Sequence, residues 1–273
     1  MPTISTPSKI EGTRQYTKYI FFSGSTHQER EAKVAEVIAQ TGAILVPPYD
    51  HPDIILGQGT VGLEIQQQYS ELKSGRPAHL RAVVAPIGGG GLLGGIATYF
   101  SPVSESSPSS ESAPKTYVFG AEPSFEGADD ARRGLASHPP RRIEHVKSLT
   151  IADGLRTPVG VLNWSVVSDK RKVQGVYAVT EEQIKKTMRL VLERMKIVVE
   201  PSGCVSLAVV LFNEEWRHWV AEMQREEAVK DGVDGKDIIW DVAVVFSGGN
   251  TTVEAIGRLF GTRKEEDNEE SKS

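Results

Sequence analysis

The chain reads as an α/β protein built on an open, mostly parallel sheet with helices on both faces. Three observations predict this. Continuous apolar runs, "RAVVAPIG" (81–88), "TYVFGAEP" (116–123) and "DIIWDVAVVFSGGN" (237–250), read as strands buried on both sides. Segments of helical period alternate with them, as crossover helices over a parallel sheet do. Two of the strands run directly into glycine turns, and such sheets hold ligands beyond the carboxyl ends of their strands.

Each element follows from local sequence. Residues 1–18 are polar, contain Pro and Gly, and are expected to be a flexible leader. "YIFFS" (19–23) is expected as a buried strand, "HQEREAKVAEVIAQTG" (27–42) as a helix stopped by Gly42, and "AILVPPYD" (43–50) as a strand closed by two prolines. "GTVGLEIQQQYSELK" (59–73) is a helix after the "GQG" turn, and "LLGGIATYF" (92–100) is a helix after the glycine run. Residues 101–115, rich in Ser, Pro and Glu, cannot bury enough surface to order themselves and are expected as a disordered insertion. "SFEGADDARRGLA" (124–136) reads as a helix and "QGVYAVT" (174–180) as a strand. "EEQIKKTMRLVLERMK" (181–196) is an amphipathic helix with Thr180 as N-cap and Gln183 completing a capping box. "SGCVSLAVVLFNEEW" (202–216) is an apolar helix, 217–237 is charged and expected to be exposed, and "TTVEAIGRLF" (251–260) is a closing helix. Residues 261–273 form an acidic flexible tail.

Composition narrows the function classes. The net charge of −5 over 273 residues gives no electrostatic reason to expect nucleic acid or anionic lipid as a partner. Cys204 is the single cysteine, which excludes an internal disulfide and favours a reducing, cytoplasmic setting. No apolar run approaches the roughly 20 residues of a membrane helix, and the N-terminal residues lack the hydrophobic core of a signal peptide.

The glycine run in "VAPIGGGGLLGG" (84–95) is entropically expensive, so something requires it. Either the chain needs a tight strand–helix turn, or backbone N–H groups at a helix start converge on an anion. A P-loop is disfavoured because no Gly-Lys-Ser/Thr follows. A dinucleotide fingerprint would need an acid about 20 residues on, where the Ser/Pro segment lies. A phosphate site is the better reading. "FSGGN" (246–250) is either a common turn or a hydroxyl, on Ser247, presented at a strand end.

Taken together, "ILGQGTVGLEI", "APIGGGGLLGGIA", "GAEPSFEGADDA", "TIADGLRTPVG", "ERMKIVVEPSGCVSLAVVL" and "VVFSGGN" resemble the serine racemase / serine-threonine dehydratase family. These are fold-type II pyridoxal-phosphate enzymes of the tryptophan synthase beta-like superfamily, and the match runs over roughly 19–260. The resemblance implies a three-layer sheet, with a large domain at 57–260 and part of a small domain at 19–56. It implies that Gly88, Gly89, Gly90, Gly91 and Leu92 cradle the phosphate of pyridoxal 5'-phosphate (PLP), that Ser247 bonds the ring nitrogen, and that Gly154 and Glu200 line the ring. It also implies a divalent-cation site, Mg²⁺ or else Mn²⁺ or Ca²⁺, from Glu122, Asp130 and the carbonyl of Ala128. Helix-start acids favoured by the dipole are the competing reading there. The substrate class implied is serine or threonine, in a homodimer or in association with a full-length subunit.

The family's "S-F-K-x-R-G-A" and "S-S-G-N-H" segments do not occur in the 273 residues, and Lys9, Lys18, Lys73 and Lys115 lack a matching context. No Schiff-base lysine is therefore assigned. The expectation is a truncated relative of a racemase or ammonia-lyase, inactive alone. The alternative is a phosphate-binding pseudoenzyme or regulatory subunit.

Overall fold

The computed structural model describes residues 1–73, 79–101, 115–235 and 238–261. Its centre is a four-stranded parallel sheet of β1 (Leu80–Pro86), β2 (Tyr117–Pro123), β3 (Gly175–Val179) and β4 (Asp241–Val244), in the order β3-β2-β1-β4. The register sets Val84 beside both Phe119 and Val244. Alternate residues of the inner strands feed two separate cores, so both must be apolar. Ala82, Val84, Phe119 and Ala121 pack on one face with Ile184, Met188, Val205 and Ala208. Val83, Ala85 and Val118 pack on the other with Leu93, Ile96, Val166 and Val167.

The helices divide accordingly. Helix α4 (Gly91–Tyr99) lies against α3 (Pro52–Leu72) and α6 (Val161–Val167) on the second face. Helices α7 (Glu181–Leu190) and α8 (Pro201–Phe212) cover the first. Thr180 caps α7, with Gln183 returning a bond to its N–H, as its sequence predicts. A π-turn at Val191–Met195 ends that stretch, with Lys196 at φ 60°. Helix α5 (Asp130–Ala136) adds Ala131 to the second face, and α10 (Val253–Phe260) adds Ile256 to the first.

Several expectations are corrected. The leader contains a helix, α1 (Pro7–Arg14), with Pro7 in its first turn. Residues 19–23 and 43–46 are not buried strands: Tyr19 is 69% exposed and Ile44 92%. A strand buried on both faces needs paired neighbours, and among the described residues this region makes only a bridge of Pro2 with Ser23. The intervening helix does form, as α2 (His27–Thr41), started by a Thr26–Glu29 capping box and ended by Gly42 at φ 68°. The segment 217–237 is not simply exposed. It lies mostly in α9 (Glu214–Asp231), which buries Trp216 and Ala228 and leans Trp219 and Met223 on the core. Strand β4 is half-buried, because it is the sheet edge. The readings for 102–114 and 262–273 lie outside the described residues. No helix among the described residues is long and apolar enough to cross a membrane.

Candidate cofactor site

From β1 the chain moves outward to β2 and β3, then returns to lay β4 on the other side of β1. The strand order therefore reverses between β1 and β4, and open α/β sheets bind ligands at that crevice, beyond the carboxyl ends. Both strands end in the glycine turns. Past the end of β4, the Val245 N–H still donates to the Val84 carbonyl at 3.0 Å, which keeps the two turns side by side.

The first turn, Gly88–Gly90, leads into α4. At a helix start the first N–H groups have no carbonyl within the helix, here Gly91, Leu92 and Leu93; the Gly94 N–H is the first to bond back, to Gly90 at 2.7 Å. The Gly89 carbonyl is held by other loops. Gly89 accepts from the Gly160 N–H at 3.0 Å and from Asn163 Nδ2 at 2.9 Å. Close packing also demands glycine. A Cβ on Gly89 would stand 2.4 Å from the Tyr49 ring, and Gly90 sits at φ 95° with Asn163 2.8 Å from where a Cβ would be. The tight-turn reading is therefore realised by close packing.

The opposite wall is built from α8 and two loops. Gly154 stands so close to the glycine turn that a Cβ on Gly88 would be 3.1 Å from its carbonyl oxygen. Its N–H donates to Ser202 Oγ at 3.0 Å. The Glu200 N–H donates to the Gly248 carbonyl at 3.1 Å, which ties the start of α8 to the second glycine turn. Ser247 lies in the same turn, with its N 3.2 Å from where a Cβ on Gly203 would be. Gly88, Gly154, Glu200 and Ser247, far apart in sequence, thus share one rim.

Electrostatics at the rim come partly from a residue whose sequence context gave no role. Lys9 Nζ of α1 pairs with Asp153 Oδ2 at 2.7 Å, both half-buried. Burial pushes the Glu200 carboxyl up from its usual range, Lys9 opposes the shift, and Asp153 adds to it. Burial, helped by Glu200, pushes the Cys204 thiol up to about 12, so the lone cysteine stays protonated and unreactive. The supporting residues Lys9, Tyr49, Asp50, Asn163 and Ser202 drew no role from the sequence, because their contacts span 48 residues or more of chain.

The predicted cation ligands are adjacent but set apart from this rim by their own bonds. Glu122, at the end of β2 and fully buried, accepts the Ala131 and Arg132 N–H groups at 3.0 Å each, capping α5. Asp130 Oδ2 accepts the Val159 N–H at 3.0 Å. Burial pushes Asp130 up to about 6 and Glu122 well above its usual range, with Asp130 adding to the latter. Ala128 is buried beside them. The helix-capping role is thus realised, and the free lone pairs of both carboxylates are hard oxygen donors. Among the described residues no three His, Cys, Asp or Glu side chains gather as a metal cluster.

Comparison with known proteins bears on the family and the fold. A family profile described as "Pyridoxal-phosphate dependent enzyme" matches residues 1–218. The chain is 35% identical over 236 residues to serine racemase of Dictyostelium discoideum, covering 86% of this chain and 61% of that protein. It is 35% identical over 221 residues to beta-hydroxyaspartate dehydratase of Paracoccus denitrificans, covering 79% of this chain and 61% of that protein. The solved structure of maize serine racemase superposes with a TM-score of 0.71 at 30% identity, over 94% of this chain and 67% of that one. The chain thus spans about 61% of the length of these two curated relatives.

Proposed function

Since the chain belongs to the pyridoxal-phosphate dependent enzyme family, we propose that it serves the serine racemase / L-serine (threonine) ammonia-lyase chemistry of its relatives, interconverting serine enantiomers or eliminating water to an oxo acid and ammonia. One observation carries the reading: the N–H-lined glycine turn after β1 and the Ser247 turn after β4 flank the crevice where the strand order reverses. The residues suit a phosphorylated pyridine cofactor. The turn offers backbone N–H groups at the start of α4, and a neutral hydroxyl stands at the second turn.

PLP, when bound, supplies an electron sink for the α-carbon of an amino acid. Gly88 to Leu92 would hold its phosphate, Ser247 would bond its ring nitrogen without giving up a proton, and the Gly154 backbone and Glu200 would line its ring. Glu200, whose carboxyl is pushed up from its usual range by burial, holds a proton at this rim more tightly than a free carboxylate does. Glu122, Asp130 and the Ala128 carbonyl are the donors we assign to a divalent cation, Mg²⁺ in the first instance.

The alternative is a phosphate-binding pseudoenzyme or regulatory subunit. One experiment separates the readings. PLP is titrated by tryptophan fluorescence, and serine turnover is followed as D-serine by chiral chromatography and as oxo acid. Binding with turnover supports the enzyme, binding without turnover the alternative. A chain that does not bind PLP defeats both.

A further inference from the structure

Asn163, in the first turn of α6, is 0% exposed and spends both amide hydrogens on backbone carbonyls of other loops. Its Nδ2 donates to Gly89 at 2.9 Å and to Tyr49 at 3.1 Å. Asp50 fixes the asparagine in turn, accepting the Val161 N–H at 2.8 Å and the Asn163 N–H at 3.1 Å. The other end of the amide is not satisfied. Asn163 Oδ1 is buried without a hydrogen-bond partner, and it lies 2.9 Å from where a Cβ on Gly94 would be. A leucine of similar size would avoid the unmatched acceptor, so the asparagine is explained only by what Nδ2 does.

What Nδ2 does follows from peptide geometry. In a planar trans peptide the carbonyl of one residue and the N–H of the next point in opposite directions. Two donors, Asn163 Nδ2 and the Gly160 N–H, hold the Gly89 carbonyl toward α6. The Gly90 N–H is thereby aimed away from α6. A Gly-Gly peptide has little steric resistance to flipping, and a flip would bring a carbonyl oxygen round to the side where the N–H had pointed.

The geometry points to Asn163 as a positioning residue that aims the glycine turn's dipoles at a phosphate monoester. The inference rests on the PLP reading above and goes beyond it by assigning the affinity for the phosphate, as distinct from the ring, to this side chain.

The test compares PLP with pyridoxal, which lacks the phosphate, in equilibrium titrations of the whole chain and of Asn163→Leu, with folding checked by circular dichroism. The expected result is a loss of about tenfold in PLP affinity with pyridoxal affinity unchanged. Equal weakening of both ligands would mean a merely structural role, and unchanged PLP affinity would mean no role; either overturns the inference. A wild-type chain that binds PLP no better than pyridoxal instead defeats the underlying phosphate reading. Should Asn163→Leu fail to fold, Asn163→Ala carries the same comparison.

Discussion

The Glu200 N–H donates to the Gly248 carbonyl at 3.1 Å, and Gly248 holds φ at 115°, so that a Cβ there would sit 2.6 Å from Glu200 Oε1. The second glycine turn and the start of α8 are therefore fitted to each other at one residue. Gly248→Ala combines a backbone conformation that L residues avoid with a collision against a carboxylate. It should lower stability by about 1–3 kcal/mol and weaken PLP binding as Ser247 shifts. Urea unfolding and a PLP titration of the variant check both; a variant as stable as the parent would mean the turn relaxes freely.

The pH dependence of stability should carry a mark of Glu200. Burial raises its carboxyl pKa, with Lys9 opposing. A group raised on folding binds its proton more tightly in the native state, so its contribution is complete below the unfolded value and is lost as pH rises through the folded one. Lys9→Met removes the opposing charge and should carry that loss to higher pH, while Glu200→Gln should abolish it. Unfolding midpoints in urea across the acid-to-neutral range decide the matter; a Lys9→Met profile parallel to the parent's would show that Lys9 does not act on Glu200.

Divalent cations should raise the melting temperature of the parent chain but not of Glu122→Ala. That variant also loses the acceptor of the Ala131 and Arg132 N–H groups, so its metal-free melting point should already be lower. Differential scanning fluorimetry with and without Mg²⁺ reads both effects. An unchanged metal response in the variant would remove the site from consideration.

Phe119 is fully buried at the centre of the sheet, with Trp219 at 5.0 Å, Tyr177 at 6.0 Å and Trp216 at 6.1 Å between ring centroids. Phe119→Ala should cost about 3–5 kcal/mol, enough to threaten folding of a marginally stable domain. Chemical denaturation measures it; a loss under ~1 kcal/mol would mean the ring cluster collapses to fill the space.

What was legible in the sequence was what depends on near neighbours. Val83, Val84 and Val118 announced strands buried on both faces, and Thr180 with Gln183 announced a helix start. The glycine turns stood out because glycine is costly wherever it is not required. Ile44 and Val46 misled for the opposite reason: apolar, β-branched residues look buried in any sequence, yet burial needs a partner surface, and here they are 92% and 76% exposed. Helix α6 escaped notice because seven residues give barely two turns of periodicity. Lys9 and Asn163 escaped because their partners, Asp153 and Gly89, lie 144 and 74 residues away. No local pattern encodes such distances.

Anchoring of the Gly89 carbonyl also bears on the timing of order. The entropy lost by four successive glycines is charged to folding, since the bonds from Gly160 and Asn163 that fix the turn need no ligand. Occupancy then adds little further ordering, which is the thermodynamic meaning of preorganisation. Hydrogen exchange at the Gly160 amide should accordingly be slow in the protein alone and change little when PLP is added, because the turn is a socket already set.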